Sequence, residues 1–428
     1  MNGTSRARSP RCRKRRGVAV CLLAGLLALV ACLVLPSLFQ EPGASTAHAG
    51  NDGGPYRVHR DIQYSHTSPD PVRNQLDVYQ PRRGTDRKPV VIWVHGGGWY
   101  QGGKRASVTD KAKRFTREGN VFVSVNYRLS PNYRGESGFR AERVMFPDHP
   151  ADVASAVAWV SRNIARYGGD RRRIVLMGHS AGAQIVSLLG TDPGFLRPRG
   201  VNPAWIRGVI SLDAYGLDLP FLADPDVRTL SDTHRGMYWN AFGAPWEPGS
   251  ARRWRQASAS NFADRTDPPF LFVVSSDSAW RVREVSRMSR ALGQDPSRAT
   301  LPVGINHRQI NLLFGVRHEG NPQTARALAF TRAVTEPALV PRVRLDGPRR
   351  FRADRRTGLA TARLAVSSRP QGAPLICRLD RRPARRCEGR QIYRVLPGRH
   401  VLKVTATDFT GRVRDRAFHR FTVERSRP

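Results

Sequence analysis

Gly178-His179-Ser180-Ala181-Gly182 reads G-x-S-x-G, and an apolar strand pattern, Arg173-Ile174-Val175-Leu176-Met177, runs straight into it. Behind it, Ala183-Gln184-Ile185-Val186-Ser187-Leu188-Leu189 has the pattern of a helix. Strand, sharp turn and helix are the setting that makes such a pentapeptide specific. Its glycines lack a Cβ, so the backbone can fold tightly and hold Ser180 in a strained conformation with the hydroxyl projecting. Ser180 then sits at the positive end of a helix, where a developing oxyanion is stabilised. Taken alone the pentapeptide also fits an ordinary glycine-flanked turn.

A second stretch decides between the two. Val90-Val91-Ile92-Trp93-Val94 is a buried-strand run that ends in His95-Gly96-Gly97-Gly98-Trp99. Three successive glycines after a strand make a turn whose amides can face a ligand. With Asn126-Tyr127-Arg128-Leu129-Ser130-Pro131 between them, HGGGW and GHSAG resemble the α/β-hydrolase fold. More narrowly they are similar to the hormone-sensitive-lipase and carboxylesterase branch, including its kynurenine-formamidase-like members. The resemblance covers Tyr56 to Pro337. It implies a serine esterase that cleaves small carboxylic esters through an acyl-enzyme and needs neither metal nor organic cofactor. An arylformamidase-like amidase would share the mechanism and differ in its pocket. A catalytically inactive envelope-binding protein is the reading from another class.

The chain order expected of such a site is nucleophile, acid, histidine. Ser180 is the expected nucleophile. Asp277, just past the strand Phe270 to Val274, matches the family position for the acid; Asp213 also follows a strand, Ile206 to Leu212, and is its rival. For the base, His307 precedes Arg308-Gln309-Ile310-Asn311-Leu312, resembling the family's histidine at an apolar helix start, whereas His318 sits in the surface-type Arg317-His318-Glu319-Gly320. A serine hydroxyl needs a base to take its proton, and an ionised acid fixes the base's tautomer. The amides of Gly97, Gly98 and Ala181 are expected to hold the oxyanion. His95 and Trp99 shape that turn, and His179 has no expected chemical role.

The chain of 428 residues has 40% hydrophobic and 8% aromatic content, enough for one large core and a smaller domain. Its net charge is +37, mostly from Arg. Such a charge favours anionic surfaces, but it is dispersed and no nucleic-acid motif accompanies it. Residues 1–40 read as a leader: a basic block from Arg11 to Arg16, then an uncharged apolar run from Gly17 to Phe39 that is long enough to span a bilayer. The basic flank stays inside, which places the rest outside the cytoplasm. Retention as an anchor, cleavage after Ala47-His48-Ala49, and a lipobox at Leu29-Val30-Ala31-Cys32 are the three processing outcomes, with the anchor preferred. Residues 41–55 form a Gly-, Ala- and Ser-rich linker.

Between 56 and 337 strands and helices alternate, which implies a mostly parallel sheet covered on both faces. The polar stretch from Pro131 to Pro150 reads as a long loop over the acyl pocket. Beyond residue 341 helical periodicity stops and short β runs begin, as at Ala360–Val366, Val401–Ala406 and Phe418–Val423. Cys377-Arg378-Leu379-Asp380, Cys387 and Ala406-Thr407-Asp408-Phe409-Thr410-Gly411 resemble a bacterial surface repeat with an Ig-like β-sandwich. Cys377 and Cys387, an isolated pair in an exported domain, are expected to form a disulfide. This part holds 24 basic and 7 acidic residues, which points to anionic lipid or a cell-wall polymer as its partner.

Overall fold

The strand leading into Ser180 lies at the centre of an eight-stranded sheet. In the computed structural model, which describes residues 54–84, 87–131, 142–223, 232–316, 322–336, 342–369, 375–387, 389–407 and 413–426, the strands are β1 (Tyr56–Gln63), β2 (Gln75–Pro81), β3 (Lys88–Val94), β4 (Val121–Val125), β5 (Gly169–His179), β6 (Ile206–Leu212), β7 (Phe270–Ser275) and β8 (Thr300–Val303). Their spatial order is β1-β2-β4-β3-β5-β6-β7-β8. β2 runs antiparallel to β1 and β4, and every pair from β4 to β8 is parallel. The leader, the linker up to residue 53 and His318 fall outside the described residues.

The continuous apolar runs are explained by burial on both sides. Val90, Ile92 and Val94 of β3 join one core with Ile174 and Leu176 of β5. Val91 and Trp93 point the other way, into a second core with Val175, Met177, Ile210 and Leu271. Period-2 alternation thus divides each strand between two covered faces. Helices Thr109–Arg117, Asp148–Asn163, Ala181–Thr191, Ala279–Ala291 and Pro322–Thr335 supply much of the cover. The Asp148–Asn163 helix passes into a tight turn that stops at Gly168, whose φ of 77° is left-handed. β8 has no counterpart in the sequence reading. It is four residues long and contains Pro302, which an edge strand tolerates because its outer N–H has no ladder partner. Of the long polar loop, residues 132–141 lie outside the described part.

Strands β9 (Arg342–Asp346), β10 (Arg350–Arg352), β11 (Ala360–Arg369), β12 (Leu375–Leu379), β13 (Arg385–Arg386), β14 (Gly389–Val395), β15 (Gly398–Thr407) and β16 (Val413–Glu424) follow. They form a sheet ordered β10-β16-β15-β12-β13 and another ordered β14-β11-β9. Between them lies a third core with Leu364, Val366, Leu379, Leu402, Val404 and Phe421. β11 alternates buried and exposed along its whole length, as a strand of a two-sheet sandwich does. A disulfide joins Cys377 to Cys387. Among the described residues no helix is long and apolar enough to cross a membrane.

Candidate active site

Ser180 stands between the end of β5 and the helix Ala181–Thr191 with φ 56° and ψ −120°, a conformation L-residues avoid. Its surroundings hold it there. A Cβ on Gly182 would lie 2.2 Å from the Val94 carbonyl oxygen, and one on Gly178 would lie 2.4 Å from the Gly182 oxygen. A larger residue at Gly182 would push the turn off β3, and one at Gly178 would push it off the first turn of the following helix. The Ser180 N–H donates to the Leu212 carbonyl at 3.0 Å, which ties the turn to β6. Gly96 of the glycine turn abuts the same residue, since a Cβ there would come within 3.0 Å of the Ser180 Cβ. Gly97 and Gly98 have φ of 115° and 59°, so the turn requires glycine at both.

His307 lies at the start of a short helix, His307–Leu312, held by a capping box between Asn306 and Gln309. Its Nε2 is 2.9 Å from Ser180 Oγ. Its Nδ1 is 2.6 Å from Oδ2 of Asp213. The acid is therefore Asp213, and the expectation of Asp277 is corrected: Asp277 is solvent-exposed, two residues past the end of β7. Asp213 instead follows β6 directly and turns inward with φ 48°. Its N–H donates to the Val273 carbonyl at 2.7 Å. Its Oδ1 accepts the Ser275 N–H at 2.9 Å, and its Oδ2 also accepts from Arg281 Nη1. Burial pushes the Asp213 carboxyl up, but the His307 bond, the Arg281 charge and the Ser275 N–H outweigh it and hold it below the usual carboxylate range. The group stays ionised.

Two residues without an expected role flank the imidazole, and a third anchors its helix. His179 lies against one side of the His307 ring, with centroids 4.5 Å apart, and its Nε2 donates to the His307 carbonyl at 2.9 Å. Burial, with His307 nearby, pushes His179 down to about 3, so this neighbour is neutral. Tyr215 meets the His307 ring edge-on, also at 4.5 Å, and carries the Arg281 guanidinium 4.8 Å above its own ring. Lys111 reaches from the helix Thr109–Arg117 to the carbonyls of Ser107 and Asn311, each at 2.7 Å. That second bond anchors the helix bearing His307. Burial pushes Lys111 down to about 7.

Direct attachment to a strand end was the available signal for Asp213. Nothing in the local pattern marks Arg281 or Lys111 among so many cations. Of the expected shaping residues, Trp99 is buried and donates through Nε1 to Gln184 Oε1 at 3.1 Å. His95 stacks on Tyr127 at 4.5 Å and is pushed down to about 4 by burial. Among the aromatics after β6, Phe242 is core, whereas Trp246 is 70% exposed and packs on Trp239.

The BD-FAE family model matches residues 76–283. Over these residues the chain is similar to that family, and its fold is that of an α/β-hydrolase. It is 38% identical over 191 residues to Esterase LipQ of Mycobacterium tuberculosis, covering 43% of this chain and 40% of that protein. It is 34% identical over 124 residues to Esterase LipC of the same organism, covering 28% of each. The matched stretch thus spans less than half of these relatives. Among solved structures, a truncated carbohydrate esterase from gut microbiota superposes with a TM-score of 0.53 at 16% identity, covering 66% of this chain and 98% of that one. Esterase B from Lactobacillus rhamnosis gives 0.51 at 18% identity, covering 66% and 86%. These likenesses carry the fold.

Proposed function

We propose that the chain is an exported serine hydrolase that cleaves small carboxylic esters. The observation that carries this reading is the connected series Ser180 Oγ, His307 Nε2, His307 Nδ1 and Asp213 Oδ2, with links of 2.9 and 2.6 Å. His307 takes the Ser180 proton as the oxygen attacks the ester carbonyl, and Asp213 stabilises the imidazolium without accepting its proton. The amides of Gly97, Gly98 and Ala181 hold the negative oxygen; one such donor typically contributes about 3 kcal/mol. His307 then protonates the leaving alcohol, and water, deprotonated by His307, releases the acid from Ser180. The names of the relatives, esterases in each case, favour an ester over an amide. The basic, apolar leader supports export with the catalytic domain outside the cytoplasm, and the basic C-terminal part supports attachment to an anionic envelope surface.

The test is labelling with a fluorophosphonate alongside turnover of p-nitrophenyl acetate and of an N-formyl aromatic amine. Labelling and ester turnover, both lost in Ser180→Ala, are expected. An unlabelled wild type would mean an inactive fold, and faster formamide turnover would make it an amidase.

A further inference from the structure

We propose that both outer faces of the C-terminal sandwich together form a docking surface for a linear phosphodiester polymer of the cell-wall type. This rests on the reading above that the basic C-terminal part attaches the enzyme to an anionic envelope surface, and it names the faces and the partner.

Strand alternation and register define both faces. On β14-β11-β9 the outward side chains include Arg390 and Arg394 of β14, Arg363 and Arg369 of β11, and Arg342 and Arg344 of β9. Arg369 stands directly opposite Arg342. On the second sheet Arg416 and Arg420 of β16 point outward with Arg399 and Lys403 of β15 and Arg378 of β12. Lys403 stands directly opposite Arg378.

Like charges placed opposite each other across a ladder destabilise it, so each sheet carries an electrostatic cost that an anion would remove. Carboxylates do little of this. Among the described residues Asp346 lies 3.8 Å from Arg344 and Glu424 lies 3.9 Å from Arg352, at the margin of ion pairing. No ion pair among the described residues involves Arg363, Arg369, Arg390, Arg378, Lys403, Arg416 or Arg420.

The distribution selects the partner. A planar bilayer meets one face of a sandwich and leaves the other face's repulsion in place. A flexible chain of phosphates can follow both. Along a strand, outward side chains recur about every 6.8 Å, so successive cations can meet successive charges of such a chain. Nucleic acid is the less fitting polyanion. Duplex recognition needs an element that enters a groove, and single strands need rows of aromatic platforms. Among the described residues these faces present a single large exposed aromatic, Phe418, 52% exposed.

The experiment uses residues 54–428, which contain all three described cores and the disulfide. Binding is measured to poly(glycerol phosphate), to vesicles containing phosphatidylglycerol, and to a DNA duplex across a salt series. The variants are Arg363→Glu/Arg390→Glu on one face and Arg378→Glu/Arg420→Glu on the other. Each pair is expected to weaken polymer binding about tenfold and to reduce the log–log salt slope by roughly one for each cation–phosphate pairing removed, with the two effects adding. Hydrolysis of p-nitrophenyl acetate by all variants is expected to match the wild type, which reports the fold and tests the esterase reading separately. Loss confined to one face together with tighter binding to vesicles would overturn the proposal in favour of a bilayer. Tighter binding to the duplex would overturn it in favour of nucleic acid. Unchanged binding in both variants would remove the docking surface altogether.

Discussion

The partner of His307 is decided by two carboxylates that the sequence presents in nearly equivalent settings. Each follows an apolar strand; direct attachment to the strand end is what sets Asp213 apart, and the sequence does not show which turn aims inward. The structure assigns Asp213 because main-chain groups at Val273 and Ser275 and the Arg281 guanidinium converge on it. Ser180 and His307 were legible because their roles follow from chain order and from a strand–turn–helix and a helix-start pattern. Asp213→Asn is expected to lower kcat on p-nitrophenyl acetate by roughly 10³–10⁴, since the amide favours the wrong imidazole tautomer. Asp277→Asn, at an exposed site, should leave turnover within about twofold. The reverse ranking would return the role to Asp277. Arg281 adds a positive charge beside Asp213 and helps to hold that carboxyl below the usual carboxylate range.

At the scale of elements, the helix Ala279–Ala291 does two jobs from one face. Its first turn supplies Arg281, and one turn later Glu284 accepts the Asp218 N–H at 2.6 Å. Burial pushes the Glu284 carboxyl up from 4.5 to about 8, aided by the charge of Asp218 and opposed by that N–H. The folded protein thus keeps a proton that the unfolded chain releases. Glu284 contributes its stability in full below pH 4.5 and loses it as pH rises towards about 8, at no more than ~1.4 kcal/mol per pH unit. Glu284→Gln retains an acceptor for Asp218 and cannot ionise. Its Tm relative to the wild type is expected to rise between pH 5 and pH 8, and a constant difference would show that Glu284 does not hold the proton. The major strands were legible because burial on both faces demands long apolar runs. β8 was not: four residues with a proline carry too little periodicity, and pairing with β7 is what makes them a strand.

At the scale of the molecule, the residues of the catalytic series lie between 180 and 307 and the disulfide lies beyond residue 341, so the two parts should respond separately to reduction. Cys377 and Cys387 are 10 residues apart; closing so short a loop contributes about 2–3 kcal/mol. Dithiothreitol should lower the unfolding transition of the sandwich, followed by calorimetry, while turnover of p-nitrophenyl acetate stays unchanged. Parallel loss of both would mean that the sandwich supports the site. Pro302 has a different consequence, which concerns crowding. Copies gathered along a polymer, as proposed above, would meet one another at high local density, where an open sheet edge could recruit a neighbouring chain. β8 closes the eight-stranded sheet with four residues, one of them without an N–H, and offers such a neighbour almost no ladder to extend.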